Sequence, residues 1–305
     1  MRNEKRIVMT DNHQALNASR LRASKENPWP HDQLKVMPSR YYGRWISMLA
    51  IAALIGLVGE SMVTNQNFGW ATVGKYLFSP TILSGLATTS WLTLVIMLLA
   101  IVLGVVIAVM RLSSNPLLVG FSGGWIWFFR GTPVLVQLIF WYNLAVLYPT
   151  VTVGIPGVFT LWQGSMNDLI TPWTAAILGL GLNESAYMAE IIRAGISSVD
   201  DGQQEAARAL GMKKSQYLKR VTLPQAVPFI IPPTGNQIIG MLKTTSLVSV
   251  ISLSDLLYSA QAIYSRTYEN IPLLIVACIW YLVATTLLSA VQTRIEKHYS
   301  KGRVR

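Results

Sequence analysis

The chain has 305 residues, of which 52% are apolar and only 13% charged, and its charges are confined to a few stretches. That is a membrane composition, and the single cysteine rules out an internal disulfide framework. The net charge of +11 could suit a nucleic acid, but the basic residues sit between apolar runs, so no nucleic-acid partner is expected.

Residues 1–44 are polar, carry Pro28, Pro30 and Pro38 without apolar periodicity, and read as a mobile tail. A first span is predicted at 46–63. It follows more than forty polar residues, too far along to be a secretory signal. Residues 64–84 read as a polar connection, so that 45–80 form an added N-terminal span and its loop. Gly85 to Met110 contains no ionisable residue and at about 1.5 Å per residue exceeds a hydrocarbon core of about 30 Å. Further spans are predicted at 125–148, 172–194, 228–250 and 271–292, the last containing Cys278. Pro149, Pro156 and several glycines oppose a helix through 149–171.

Six spans put both ends on one side. On that side lie most basic residues, among them Arg20, Arg44, Arg111, Arg208, Lys213, Lys214, Arg294 and Lys301, while the other side keeps Lys75 and Arg266. The positive-inside tendency therefore predicts cytoplasmic termini, with a short cytoplasmic tail at 293–305 and a cytoplasmic connection at about 195–227.

That connection has a helical reading of its own. Asp201 with Gln204 resembles a capping arrangement, Glu205 falls in the favourable first turn, and Ala206, Ala209 and Leu210 share a face. Gly211 can end the helix, and Pro224 and Pro228 oppose simple continuation. From Glu205 to Pro224 the text is EAARALGMKKSQYLKRVTLP. It resembles the EAA loop of permeases of ATP-binding-cassette (ABC) importers, with Glu205, Ala206, Ala207, Gly211, Leu223 and Pro224 in the motif's places and Val221 where isoleucine is commoner. Small Ala206 and Ala207 would let a helix enter a groove closely. FRGTPVLVQL at 129–138, ESAYMAEIIRAGI at 184–196, GQQEAARALGM at 202–212 and KTTSLVSVI at 243–251 are similar to the polar amino acid permeases.

The resemblance covers about 81–292 and implies an all-α integral membrane protein with the type I ABC importer fold, a five-span core to which one N-terminal span is added. It implies a bacterial inner-membrane permease working by alternating access, with 200–222 coupling it to nucleotide-binding ATPase subunits. No cofactor is expected in this chain, Mg-ATP belonging to those subunits. A periplasmic substrate-binding protein, a second permease protomer (identical or paralogous), an amino acid and membrane lipid complete the expected partners.

Intramembrane ionisable groups cost about 2.5–3.5 kcal/mol each on insertion scales, so each invites an explanation. Arg130, Glu190 and Arg193 lie near the cytoplasmic ends of spans three and four, and Glu190 and Arg193 can pair at a separation of three; all three read as gate or structural ion pairs. Glu184 lies halfway along span four with no basic residue a turn away. Its countercharge is expected from Lys243, on the stripe Asn236, Ile239, Gly240, Lys243, Leu247, or from substrate. Tyr187 and Met188 flank it, and Glu184, Tyr187, Met188, Asn236 and Lys243 form the expected substrate pathway. An aromatic rim beside a carboxylate suits an ammonium or guanidinium group.

The rival reading is an ion-coupled secondary amino acid carrier needing no ATPase, which gives no reason for the docking-segment spacing. A membrane enzyme is disfavoured by the lack of a phosphate loop and of a nucleophile constellation, and no metal site is expected from His13, His31 and His298.

Overall fold

The computed structural model describes residues 42–155 and 159–300. The tail expected at 1–44 lies almost wholly outside them. The chain divides into two units at Thr64 and Asn65.

The described part of the first unit is one helix, α1, Tyr42–Thr64. Its 23 residues are mostly apolar, the charged Arg44 and Glu60 lying toward its two ends, with no buried residue and no polar stripe. Among the described residues it is one of three helices long and apolar enough to cross a bilayer, the others being α3, Pro80–Arg111, and α10, Asn270–Ser300.

In the second unit, 64–84 is not the plain connection expected. Asn65 caps a turn over Gln66–Phe68, and α2 covers Trp70–Tyr76. Ser79 then caps α3, accepting from the Ile82 amide, with Pro80 in the first turn where its missing N–H costs nothing. One face of α3 (Ile82, Leu92, Ile96, Ala100, Ala108) is buried, and Trp91, Leu94, Leu98, Val102 and Val109 form an exposed apolar stripe at helical spacing. In a membrane chain such a stripe suits lipid or another apolar helix.

The third span expected at 125–148 is corrected. It begins earlier, as α4, Pro116–Gly131, breaks at Thr132-Pro133, and resumes as α5, Val134–Tyr142, followed by one turn at Leu144–Leu147. Proline lacks the donor a continuing helix needs and holds Thr132 extended. A two-stranded antiparallel ribbon follows, β1, Thr150–Ile155, and β2, Phe159–Ser165. The sequence reading, with its loop at 149–171, contains no strand there.

The fourth expected span coincides with α6, Pro172–Ser197, capped by Thr171. Half of its 26 residues are buried, and it packs most extensively on α3. Small residues allow this on three sides: a Cβ at Gly181 would meet Leu99 of α3 at 2.8 Å, one at Gly179 would meet the Leu138 backbone of α5 at 3.0 Å, and one at Gly195 would collide with Ile230. The principal core forms here from Leu92, Ile96, Leu138, Leu180 and Val248.

After the nine-residue α7, Asp201–Ala209, the helical path runs unbroken from Lys214 through a π-turn at Leu218–Thr222 into α8, Leu223–Thr244, and a 3-10 stretch to Ile251. The expectation that Pro224 and Pro228 prevent continuation is corrected. Pro224 sits in the first turn of α8, and Pro228, Pro232 and Pro233 lie inside it. Irregular backbone is tolerated at membrane depth where packed protein re-satisfies it, and Gln292 of α10 donates to the Pro232 carbonyl at 3.3 Å. α9, Leu256–Thr267, follows at an angle of 45° to this stretch, and the two together are long and apolar enough for a broken span or a re-entrant loop. A second core of Val73, Ile82, Leu256, Leu273 and Val276 ties α2, α3, α9 and α10 together. α10 continues as helix beyond the expected end at 292 to Ser300.

Candidate functional site

Two regions carry the polar chemistry of the second unit: the middle and C-terminal half of α6, and the segment that follows it. Glu184 is 6% exposed, and its Oε1 is buried without a hydrogen-bond partner among the described residues. The polar side chain that meets its carboxylate is Gln237 of α8. The sequence pattern points instead to Asn236 and Lys243. Asn236 accepts from Gln292 Nε2 at 3.1 Å, and that amide also reaches Glu296 at 2.7 Å. Lys243 is exposed, and among the described residues no ion pair joins it to Glu184. The helical rotation of about 100° per residue explains the difference, since one position separates the face of α8 toward α6 from the face toward α10.

Of the residues flanking Glu184, Met188 is 1% exposed and packs on α3, where a Cβ at Gly104 would lie 2.6 Å from its own. Tyr187 is half-buried, with the Arg130 guanidinium 5.0 Å from its ring centroid, a cation–π arrangement. Arg193 binds Glu190 bidentately, with contacts of 2.8–3.2 Å. Arg130 therefore stacks on an aromatic ring instead of completing a three-member ion cluster. Arg130 and Glu190 line one cavity of about 420 Å³ with Phe229 and Pro233. A separate groove of about 570 Å³ between α3, α6, α8 and α10 is lined almost entirely by aliphatic side chains, such as Ile101, Ile192 and Ile238, and offers little to a polar solute.

Two buried polar networks lie outside the residues that the sequence singles out. Asn183 donates to the Phe129 carbonyl at 2.6 Å and meets Gln137 at 3.3 Å, while the Gln137 amide donates to the Phe129 and Thr132 carbonyls. These bonds satisfy backbone oxygens freed by the break between α4 and α5. The readable signal for them is Thr132-Pro133 with an amide four residues on. Asp255, fully buried, caps α9 by accepting from Leu257 and Tyr258 amides at 3.2 and 2.8 Å and from the Tyr281 hydroxyl at 3.2 Å. The Leu256 amide donates to Thr89 of α3 at 3.0 Å. An Asp just before an apolar run is the readable sign of this cap.

The segment after α6 folds as an exposed knob. Its cap is Asp200, one residue before the expected Asp201, and accepts from the Gly202 amide at 2.7 Å. Ala207 is buried, whereas Glu205, Ala206 and Leu210 are exposed. Gly211 has φ +72°, the Gly211 amide bonds Arg208 O at 2.9 Å, and the Met212 amide bonds Ala207 O at 3.1 Å. This paired pattern is a Schellman stop, which needs the left-handed residue that glycine supplies. Leu223 and Pro224 open α8, so the second half of the knob, from Lys214, is helically continuous with the helix that carries Gln237, and α7 joins it through the turn at Gly211.

Helices long and apolar enough to cross a bilayer, a broken and a bent helix around a polar centre, and an exposed knob between two long helices fit a membrane transport subunit. The chain belongs to the family of binding-protein-dependent transport system inner membrane components, whose pattern matches residues 100–301. It is 44% identical over 285 residues to the arginine transport system permease protein ArgU of Corynebacterium glutamicum, covering 93% of this chain and 87% of that one. It is 36% identical over 210 residues to the nopaline transport system permease protein NocM of Agrobacterium fabrum, covering 69% and 84%. Among solved structures, an amino acid ABC transporter crystallised with histidines matches with TM-score 0.62 and 38% identity, covering 72% of this chain and 95% of that one. The MetNI methionine transporter, at 17% identity and TM-score 0.58, shares the fold, covering 72% of this chain and 97% of that one. The protein is a multi-pass inner-membrane permease subunit of an ATP-driven importer of polar amino acids.

Proposed function

We propose that this permease carries a cationic amino acid and that Glu184 supplies the countercharge. The observation that carries the reading is the buried Glu184 carboxylate with an unpartnered oxygen at mid-helix. A carboxylate removed from water needs a countercharge or a proton, and an ammonium or guanidinium group provides the first. Lys243 is exposed and makes no ion pair with Glu184, so it does not compete for that role. The relative named for arginine supports the same chemistry. Tyr187 and Arg130 then bound the route on the side of the Glu190–Arg193 pair, as a gate.

Two protomers, identical or paralogous, enclose the pathway, a periplasmic binding protein delivers the substrate, and Mg-ATP acts on ATPase subunits. The knob at 200–222 seats in those subunits through Glu205, Ala206 and Leu210, and their closure rotates α8. From Leu223 to Gln237 the helix covers about 21 Å at ~1.5 Å per residue, enough to carry that rotation to Glu184. Both termini and the knob are then cytoplasmic. Labelling of cysteines placed near 75 and 160 from outside, and near 215 only from inside, checks this sidedness.

The reading is tested by uptake into proteoliposomes at fixed amounts of binding protein and ATPase. Glu184→Gln should reduce transport of a cationic substrate at least tenfold while insertion is kept. Unchanged uptake would place the substrate site elsewhere.

A further inference from the structure

The ribbon between α5 and α6 has two chemically distinct faces. In an antiparallel pair, residues directly opposite share a face. The register pairs Val153 with Trp162, Ile155 with Phe159 and Val151 with Gly164; it pairs Thr150 with Ser165, Thr152 with Gln163 and Gly154 with Thr160. One face is therefore Val151, Val153, Ile155, Phe159 and Trp162. The other is threonine, glutamine and serine. The irregularity after Val153 leaves Leu161 as the extra residue and keeps the two faces in step beyond it.

The apolar face is open. Val153 is 51% exposed, Ile155 54%, Phe159 48% and Trp162 46%. Trp162 lies across Gly164 so closely that a Cβ there would collide with the indole, and the ring is thus spread along the face.

We propose that this face rests on lipid, in the interfacial layer of the leaflet at the N-terminal end of α6. Three observations select lipid over a protein partner. First, the apolar face continues an exposed apolar surface: Phe140 of α5 is 51% exposed, Val146 79%, Leu147 60% and Tyr148 60%, and the chain passes directly from these into β1. Second, no Asp, Glu, Lys, Arg or His occurs from Pro149 to Asn167, so the ribbon has no charge with which to steer or orient a soluble protein. Third, aromatic residues joined to aliphatic ones, with hydroxyl and amide groups on the opposite side, match the graded polarity of the membrane–water boundary. The depth follows from the backbone. A two-stranded ribbon has two unpaired edges, which hydrocarbon would leave unsatisfied but headgroups and water satisfy. The ribbon thus lies flat at the boundary as a float. It sits at the opposite end of α6 from the knob and fixes how far that helix can slide along the membrane normal.

The test uses the full chain with its co-purifying subunits in phosphatidylcholine–phosphatidylglycerol nanodiscs, in a Cys278→Ser background. Single cysteines replace Val153 or Trp162 on the apolar face and Thr152 or Gln163 on the polar face, each carrying an environment-sensitive fluorophore. A spin-labelled lipid should quench the apolar-face labels at least threefold more than the polar-face labels, and aqueous iodide should show the reverse order. Equal iodide quenching on both faces would overturn the proposal, because the ribbon would then stand in water. Apolar-face labels protected from both quenchers would also overturn it, since a protein surface, the binding protein or a second permease, would then cover them. Two apolar-face sites guard against a local effect of losing the Trp162 ring.

Discussion

α1 and α6 are of similar length, 23 and 26 residues, and differ in every other respect. α1 is apolar enough to span alone, with a mean hydropathy of 2.0 over its best window, and none of its residues is buried. α6 is long enough to span but not apolar enough to count among the self-standing spans. Yet half its residues are buried, and it holds Asn183, Glu184 and Ser185 in a row within the core. Hydropathy measures suitability for lipid, and a helix surrounded by protein has no need of it. A helix that hydropathy alone would pass over thus organises the site.

The contrast breaks most sharply if α6 can be displaced without penalty. Gly104→Val on α3 should have the largest effect, because its Cβ would meet Met188 Cβ at 2.6 Å and the Ala189 amide nitrogen at 3.1 Å. Backbone cannot yield as a flexible side chain can, and overpacking costs about 1–3 kcal/mol or more. Fluorescence-detected size exclusion should show loss of monodisperse protein. A normal profile would mean that α3 and α6 are not held at this spacing.

Next is Gly211, where the surroundings are empty and only conformation matters: a Cβ added there would meet nothing within 4 Å, and φ is +72°. Gly211→Val should cost the knob about 1–2 kcal/mol of backbone strain, whereas Gly211→Asn, which tolerates the left-handed region, should cost less. Transport and substrate-stimulated ATP hydrolysis should fall severalfold with valine and stay near wild type with asparagine, insertion being unaffected in both. Equal loss with both would replace the conformational reason by a steric one.

A smaller effect is expected of Gln137→Leu. The Phe129 carbonyl keeps its bond from Asn183, but the Thr132 carbonyl loses a buried donor. An unsatisfied buried group costs about 1–3 kcal/mol, so thermal inactivation in detergent should come several degrees earlier. A double change with Asn183→Leu should be worse than either alone, since both brace the same break.

What is legible in the sequence follows the same division. Chemistry that acts locally can be read locally: the knob from its glycine, with the capping acid misplaced by one residue, the Glu190–Arg193 pair from its spacing, α1 and α3 from their apolar runs. Elements defined by tertiary contact cannot. The break at Thr132-Pro133 has a readable proline, but the Asn183 amide of α6 that satisfies the freed Phe129 carbonyl comes from 54 residues away. The continuation through Pro228, Pro232 and Pro233 depends on neighbours such as Gln292 that no local rule contains. The ribbon escapes because Gly and Pro in 149–171 read as a loop, although Thr150–Ile155 alternates Thr with Val at the period of a strand. Glu184 and its isolation are visible along the chain, but the choice between Asn236, Gln237 and Lys243 as its neighbour rests on helix rotation.

The smallest effect is expected on α1, and it sharpens the comparison from the other side. Leu54 is 62% exposed and Leu57 66%, with no buried neighbour on the helix to which either could transmit a change. On the insertion scale a leucine contributes only about −0.3 to −0.6 kcal/mol at the helix centre, so a single Leu54→Ala removes a few tenths of that order from a segment well above the threshold for insertion. Membrane yield and uptake should both stay within about 20% of wild type, as befits a change of ~0.5 kcal/mol or less. Placing Lys at the same position adds about 2.5–3.5 kcal/mol and should lower the inserted fraction, since one helix must absorb the whole cost. If Leu54→Ala instead halved uptake at unchanged yield, α1 would be making side-chain-specific contacts. Its even apolar surface would then be a recognition surface, and exposure within its own unit would no longer measure how it is used.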